Sequence, residues 1–297
     1  MVDGVQLISS DTQITPDHTF QLTEIIRLGL MEIQSIQGIT HVEPTYSPDN
    51  RAPRHVLQKS HDIQLRLEHL LYVNDLPYAP IVSVPVVDAT PFLVHQELIK
   101  TCDDVKALRR THKLKPRLAH EPDILSGKTP DMVFANLRSI GKIVISLGSP
   151  AITPSDVFRF ALAIRADLNF IMIARMQLFA ATDAVDVAEM KPPEVYAFAR
   201  TVCTKVHAFI RKMCGADTPD NLLLPASMVP PIEPEDVMEF LMQMLADIGA
   251  MKHVLNIKSR SDISSRTASK MPSDVYGVLL EIDQLMDQAL ASPDSDF

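Results

Sequence analysis

The sequence has few of the residues on which disulfide-linked folds and tightly turning folds depend. Its 297 residues include no tryptophan, 5% aromatic residues, nine glycines and three cysteines. Cys102, Cys203 and Cys214 form no CxxC pair, and their odd number argues against a disulfide framework. We expect three buried, unreactive thiols instead.

Basic residues and uncharged apolar runs are also scarce. The net charge is −9 and the isoelectric point is near 5.5, which disfavours general binding to nucleic acid or anionic membranes. The most apolar segment, Phe158 to Ala181, contains Arg159, Arg165, Asp167 and Arg175, and this is too many charges for a membrane span. We therefore expect a soluble protein without a nucleic-acid partner.

Residues 1–13 lack the basic start and apolar stretch that mark a signal peptide. A chain from which a signal had been removed would look the same. Cytoplasmic and periplasmic locations therefore both stay open.

The short motifs of common catalytic, nucleotide and metal sites are missing as well. The sequence has no glycine-rich phosphate loop, GxSxG elbow, HExxH pair or CxxC pair. The densest histidine cluster comprises His55, His61, Asp62 and His69. His61 and His69 would lie about 12 Å apart along a helix. We interpret the cluster as a polar helix face, and we expect no bound metal and no cofactor.

Proline, in contrast, is abundant and regularly placed. Eight of the 22 prolines begin the same pattern, in which valine (threonine in the first copy) follows three residues later and an apolar run of helical period comes next. The eight are Pro16, Pro53, Pro91, Pro130, Pro154, Pro192, Pro234 and Pro272. Proline suits the first turn of a helix, because the N–H that it lacks would be unpaired there. The pattern predicts eight helices, each beginning at a Pro-x-x-Val motif.

Five positions of each copy, at offsets 3, 7, 10, 14 and 17 from the proline, form a heptad-like seam. Thirty-six of these 40 positions are apolar. Side chains with this spacing share one face of a helix and pack into a core. The seam predicts an all-α bundle fold.

The helices fall into two related sets of four. Six of the seven proline-to-proline spacings lie between 37 and 42 residues, whereas Pro130 and Pro154 are 24 residues apart. We predict two tandem four-helix units, residues 1–150 and 151–297, related by a duplication and built with long proline-rich connectors. Such connectors allow either parallel or antiparallel helices within a unit. The short turn after helix four predicts that helices four and five are antiparallel neighbours.

In the second half the opening reads Pro-x-[Asp/Glu]-Val, as in Pro154-Ser-Asp-Val. We interpret it as a helix start rather than a binding motif, because an acid in the first turn favours the positive end of the helix dipole. Thr15, Thr90, Thr129 and Thr153 precede their prolines and are candidate helix caps.

The polar seam residues are all in the first half. They are Thr19, Thr23, Ser60 and Thr101. Two interpretations stay open for them. They form a hydrogen-bonded layer, or Thr23, Ser60 and Thr101 line a ligand pocket between helices one to three.

A basic patch ends the third helix and comprises Lys106, Arg109, Arg110 and Lys113. Cations stabilise the C-terminal end of a helix. The patch is therefore either a solvated helix end or a site for an anionic partner.

These patterns favour a non-enzymatic helical interaction or scaffolding module, in which the apolar stripe also allows self-association, with a protein as the partner. The alternative is a sensor that binds a small molecule or signal in a pocket of the first half. An enzyme would need titratable groups that converge from different helices, such as His61 with Asp103 or Glu97.

Overall fold

The computed structural model describes residues 13–39, 48–81, 83–84, 88–176, 188–225, 231–263 and 269–292. In these residues the chain is all-α, with eight long helices, one short 3₁₀ helix at 215–217 and two short strands. The elements are α1 (Pro16–Ile36), α2 (Pro53–Val73), β1 (Ser83–Val84), α3 (Pro91–Thr111), α4 (Pro130–Ser146), α5 (Pro154–Met176), α6 (Pro192–Cys214), α7 (Pro234–Val254), β2 (Ser261–Asp262) and α8 (Pro272–Ala291). The predicted all-α fold is confirmed, and every long helix begins at its predicted proline.

The acid of the second-half opening motif caps its own helix. Asp156, Glu194, Asp236 and Asp274 each accept the backbone N–H of the residue three positions earlier, at 2.7–2.9 Å. The predicted threonine caps differ from one another. Thr129 Oγ1 accepts the Met132 N–H at 3.4 Å, whereas Thr90 makes no such bond. At Thr15 and Thr153 the side chain three residues later accepts the threonine N–H instead.

The four helices of each unit run parallel to one another. The opening prolines and valines of α5, α6, α7 and α8 all line one small void, and those of α1, α2, α3 and α4 line another, with Thr19 in place of valine. Four helix starts therefore meet at one end of each bundle. The connectors must therefore return along the bundle. Of the two arrangements that the sequence allowed, parallel and antiparallel, the helices of each unit have the parallel one.

Helix packing follows the same pattern in both units. In the first, α1 and α2 each pack against α3 and α4, and in the second, α5 and α6 each pack against α7 and α8. Every seam residue except Leu147, which follows the last residue of α4, is buried. A duplication would leave this shared arrangement, although the duplication and the division at residue 150 stay predictions.

The two bundles meet through α2 and α7. These helices are antiparallel, because Arg54 near the start of α2 contacts Asp247 and Arg66 near its end contacts Glu235. Strand β1 pairs antiparallel with β2 and brings Val84 into the second core. The sequence placed α4 beside α5 instead, but this pair is not among the closely packed helix pairs of the described residues. Among the described helices, α2 and α7 are the closely packed pair that joins the bundles.

The remaining expectations from the sequence concern membrane-spanning helices and a signal peptide. Among the described residues, no helix combines the length and apolarity needed to cross a bilayer. The signal-peptide question falls mainly on residues 1–12, and the end of the apolar segment Phe158 to Ala181 falls on 177–181. Both lie outside the described residues.

Candidate functional site

A buried row of polar residues joins α2 to α7. Each helix contributes positions spaced by four, which lie on one helix face. They are Arg54, Gln58, Asp62 and Arg66 on α2, and Glu235, Glu239, Gln243 and Asp247 on α7. All except Glu235 are buried, together with Lys59. Of the four residues predicted to form a polar face of helix two, His55 and Asp62 belong to this network, whereas His61 and His69 line the clefts described below.

Positive and negative charges alternate along this row. Lys59 Nζ lies 2.8 Å from Asp62 and 3.0 Å from Glu239, and Arg66 and Arg138 pair with the outer sides of the same two carboxylates. Burial acts to raise the pKa of Asp62 and Glu239, but the neighbouring cations outweigh it and bring each pKa to about 2. Both carboxylates are therefore ionised at neutral pH.

At the other end of the row, several hydrogen bonds converge on the Asp247 carboxylate. This carboxylate accepts hydrogen bonds from Arg54 Nε at 2.8 Å and the Leu223 N–H at 3.1 Å. His55 Nδ1 accepts the Ala52 N–H, so Nε2 carries the proton and donates to Asp247 at 2.9 Å. Burial lowers the pKa of His55, which keeps the ring neutral. This arrangement fixes the two bundles to each other.

The cysteine nearest to this network does not form a catalytic dyad. Cys203 Sγ lies 3.4 Å from His207 Nε2, and the same nitrogen lies 3.1 Å from Asp247. Nucleophilic triads use the two ring nitrogens for different partners. Burial raises the pKa of Cys203 well above its usual range, that of Cys102 to about 12 and that of Cys214 to about 11. All three thiols are buried, as predicted.

Two clefts lie on the outer side of α2, on either side of a connector segment that we call the strap, residues 76–81. The Ile81 N–H donates to Glu68 Oε1 at 3.0 Å, and this bond holds the strap to the helix. Burial raises the pKa of Glu68, and the bond from Ile81 opposes that shift. Glu68, Tyr78, Pro80 and Ile81 line both clefts.

The larger opening, which we call the α2–α3 cleft, has a volume of about 650 Å³. Besides the strap, three parts of the chain supply its polar walls. These are His61, Gln64 and Glu68 from α2, Glu97, Lys100 and Asp104 from α3, and Ser83 and Arg260 from the paired connectors. The cleft therefore needs both bundles and the β1–β2 pair for its complete wall.

The position of Arg260 depends on a buried anchor in the second bundle. Lys252 Nζ lies 2.8 Å from Asp167 Oδ1, and the Ser261 hydroxyl donates to the same carboxylate. Lys252 and Ser261 are buried. These contacts fix β2, and hence the residue before it, next to the cleft.

His61 is the exceptional residue of the α2–α3 cleft. Its side chain is only 7% exposed, and its Nδ1 atom is buried with no hydrogen-bond partner. Its Nε2 atom makes no hydrogen bond to any described residue either. Burial lowers the pKa of His61, so the ring is neutral and offers one donor and one acceptor. Native proteins rarely leave a buried polar group without a partner.

Two acids on α3 face the same cleft. Glu97 pairs with Lys100 at 2.8 Å. Burial, and then the neighbouring Asp103, raise the pKa of Asp104 to about 6. Perturbed titratable groups that share a cleft are a physical indication of a functional site. The sequence named His61 with Glu97 or Asp103, but Asp103 is exposed and pairs with Lys106 at 2.7 Å.

No family model, curated protein or solved structure matches the chain. The geometry of the α2–α3 cleft is therefore the basis for a functional assignment.

The predicted pocket residues lie in the core of the first bundle. Thr23 donates to the Phe20 carbonyl oxygen at 2.7 Å and accepts from Asn136, and Ser60 donates to the Leu57 carbonyl oxygen at 2.7 Å. Thr101 accepts from Gln64 at 3.3 Å. All three are buried, and none lines either of the two larger clefts of the described chain. A pocket at these residues stays a prediction.

The predicted basic patch is smaller than the sequence suggested. Arg109 is buried, donates to the carbonyl oxygens of Gly29 and Lys115, and pairs with Glu32 at 2.8 Å. It therefore holds the connector after α3 and does not belong to the surface. Arg110 and Lys113 are exposed, and Lys106 is partly exposed beside Asp103. An anionic partner at these three residues stays a prediction.

Several cleft residues were not singled out by the sequence. Gln64, Glu68 and Tyr78 lie off the apolar seam, where polar or exposed residues are ordinary. The only signal was the long, proline-rich and apolar connector after α2, because long connectors without secondary structure are often functional. No group of three or more His, Cys, Asp or Glu side chains in the described ranges is arranged to hold a metal ion.

Proposed function

We propose that this protein is a non-enzymatic helical binding protein whose α2–α3 cleft takes a small polar molecule. The observation that carries the proposal is the His61 ring, which is almost fully buried at the wall of this cleft without a hydrogen bond to any described residue. A ligand in the cleft would give the ring a hydrogen-bond partner through Nε2, because Nδ1 has no surface open to the cleft. The volume of about 650 Å³ is within the range of small-molecule sites.

The construction of the cleft supports binding rather than catalysis. A general base is oriented by a hydrogen bond on one ring nitrogen and touches a nucleophile or water through the other. Within the described structure, no protein group orients His61 through one ring nitrogen, and no nucleophilic side chain contacts the other. The neutral ring, the carboxylates and the tyrosine each offer a hydrogen bond or an ion pair to a polar molecule.

A small-molecule thermal-shift screen tests the proposal. A ligand at 100 times its Kd stabilises the folded state by about 2.7 kcal/mol, which is a shift of several degrees in Tm. Ala79 is exposed on the strap and lines the α2–α3 cleft, so we expect Ala79→Trp to fill the cleft and remove the shift.

Ala151 provides the matched control. It is an exposed connector alanine on the wall of the other cleft, so Ala151→Trp should leave the shift unchanged. A ligand whose shift survives in Ala79→Trp but disappears in Ala151→Trp would move the site across the strap. A broad polar library with no stabilising compound would count against the proposal.

The interaction or scaffolding module, with its protein partner and self-association, stays a prediction from the sequence. Light scattering of the purified chain measures self-association directly. A monomer at all accessible concentrations would argue against that part of the prediction.

A further inference from the structure

The charged groups of the α2–α3 cleft differ in whether they already have an ion-pair or hydrogen-bond partner in the protein. Glu97 is paired with Lys100, whose side chain is 65% exposed and extends toward solvent. Glu68 accepts the strap N–H. Asp104 is partly buried and has no hydrogen bond or ion pair with the described residues. The wall therefore presents carboxylate oxygens with unused acceptor capacity.

His61 adds a second, independent acceptor. Because its ring is neutral, one of its two nitrogens has a lone pair and no proton, and nothing in the described chain donates to it. Nδ1 has no surface open to the cleft, so a ligand would meet the ring at Nε2. A ligand that supplies N–H groups would donate to Nε2 when the ring proton is on Nδ1.

Tyr78 supplies an aromatic surface beside these acceptors. Its side chain is 46% exposed on the strap, where it also contacts the Tyr72 ring edge-on. The face of a tyrosine attracts cations. The two basic side chains of the wall lie toward solvent, because Lys100 and Arg260 are both exposed.

We infer that the α2–α3 cleft binds an organic cation with a primary ammonium or guanidinium group. The cation is held by Asp104 and Glu97, donates to the His61 ring, and lies beside Tyr78. This inference rests on the proposed function and names the ligand class of the same site. Several N–H donors on one cationic group match the carboxylates and the imidazole acceptor together.

Three probes of equal carbon-chain length test the ligand class by calorimetry and thermal shift. They are 1,4-diaminobutane, 1,4-butanediol and succinate, which are cationic, neutral and anionic at pH 7.5. We expect only the diamine to bind with a saturable signal. Asp104→Asn should raise its Kd about 5- to 10-fold, because a charge-assisted hydrogen bond is replaced by a neutral one.

Asp103→Asn is the matched control for Asp104→Asn. Asp103 is the neighbouring acid on the same helix, is exposed, and does not line the cleft, so its variant should bind the diamine within twofold of the unmodified protein. Equal loss in both variants, or equal binding to Ala79→Trp, would show that the diamine associates with the acidic surface at large. Either result overturns the inference.

The outcomes separate the ligand class from the proposed function. Succinate or butanediol could bind in a way that Ala79→Trp blocks, while the diamine does not bind. In that case the cleft is a binding site and the cation inference is wrong. If all three fail while the library screen yields a ligand that Ala79→Trp blocks, the inference is wrong and the proposed function stands. If no probe and no library compound binds, both fail.

Discussion

Asp247→Ala is expected to lower the free energy of unfolding by about 3–5 kcal/mol, as breaking a buried ion pair does. The substitution leaves the buried Arg54 with only the exposed Asp88 carboxylate, 3.7 Å away, and it removes the acceptor for the His55 ring and the Leu223 N–H. Asp247 itself is fully buried. Urea unfolding followed by circular dichroism measures the effect, with the slope checked for two-state behaviour.

Asp217→Ala is the matched control, because Asp217 is an exposed aspartate in the 3₁₀ helix at 215–217. Its substitution should change the free energy of unfolding by less than about 0.5 kcal/mol. The combined variant Arg54→Met with Asp247→Leu should cost less than Asp247→Ala alone, since no unpaired buried charge remains. A loss below about 1 kcal/mol in Asp247→Ala would contradict the assigned role of this network.

Acid is expected to destabilise the protein strongly between about pH 4.5 and pH 2. Asp62 and Glu239 have a pKa of about 2 in the folded state, against 3.8 and 4.5 ordinarily. Because their folded pKa values are lowered, their contribution is fully present above pH 4.5 and is lost as the pH falls toward 2. Each contributes on the order of 2–3 kcal/mol.

Glu239→Gln separates this effect from general acid unfolding. The variant should be less stable than the unmodified protein at pH 7 and should lose less stability between pH 4.5 and pH 2, because one linked carboxylate is gone. Glu281→Gln is the matched control, since Glu281 pairs with Arg165 in a more exposed position. The same pH dependence in Glu239→Gln and in the unmodified protein would contradict the assignment. The measurement is the unfolding free energy across the pH range.

The helices could be predicted from the sequence because their signals are local. A proline in the first turn, an acid two residues later and a seam of apolar side chains all act within one helix, and each helix begins where they indicate. The direction of the helices could not be predicted in this way. Connectors of this length reach either end of a bundle, so only the meeting of the helix starts shows that the helices are parallel.

The interface between the bundles has a sequence pattern whose meaning is clear only in the structure. Asp62 and Arg66 continue a spacing of four from Arg54, and Glu235 and Glu239 continue the same spacing on α7. Such rows are ordinary on solvated helices, and the sequence alone does not show that two of them face each other. The cleft was harder still, because its wall comes from α2, α3 and two connectors that are distant in sequence.

The fold and the proposed site are linked through the strap and the β1–β2 pair. Strand β1 brings Val84 into the second core, and β2 is fixed through Ser261 to the buried Lys252 and Asp167 pair. Arg260 therefore reaches a cleft whose other walls belong to the first bundle. A molecule in the α2–α3 cleft would lie at the joint between the two bundles, which fits a module that senses or holds a ligand there.

The most direct test of the binding site is nuclear magnetic resonance of the histidine rings, recorded while the compound with the largest thermal shift is titrated. The ring ¹⁵N resonances of His61, assigned by comparison with His61→Gln, should move in a saturable way, because ligand binding supplies the hydrogen bond that the ring lacks. Those of the exposed His120 and His253 should stay in place. Unchanged His61 resonances at ligand saturation would contradict a binding site in the α2–α3 cleft.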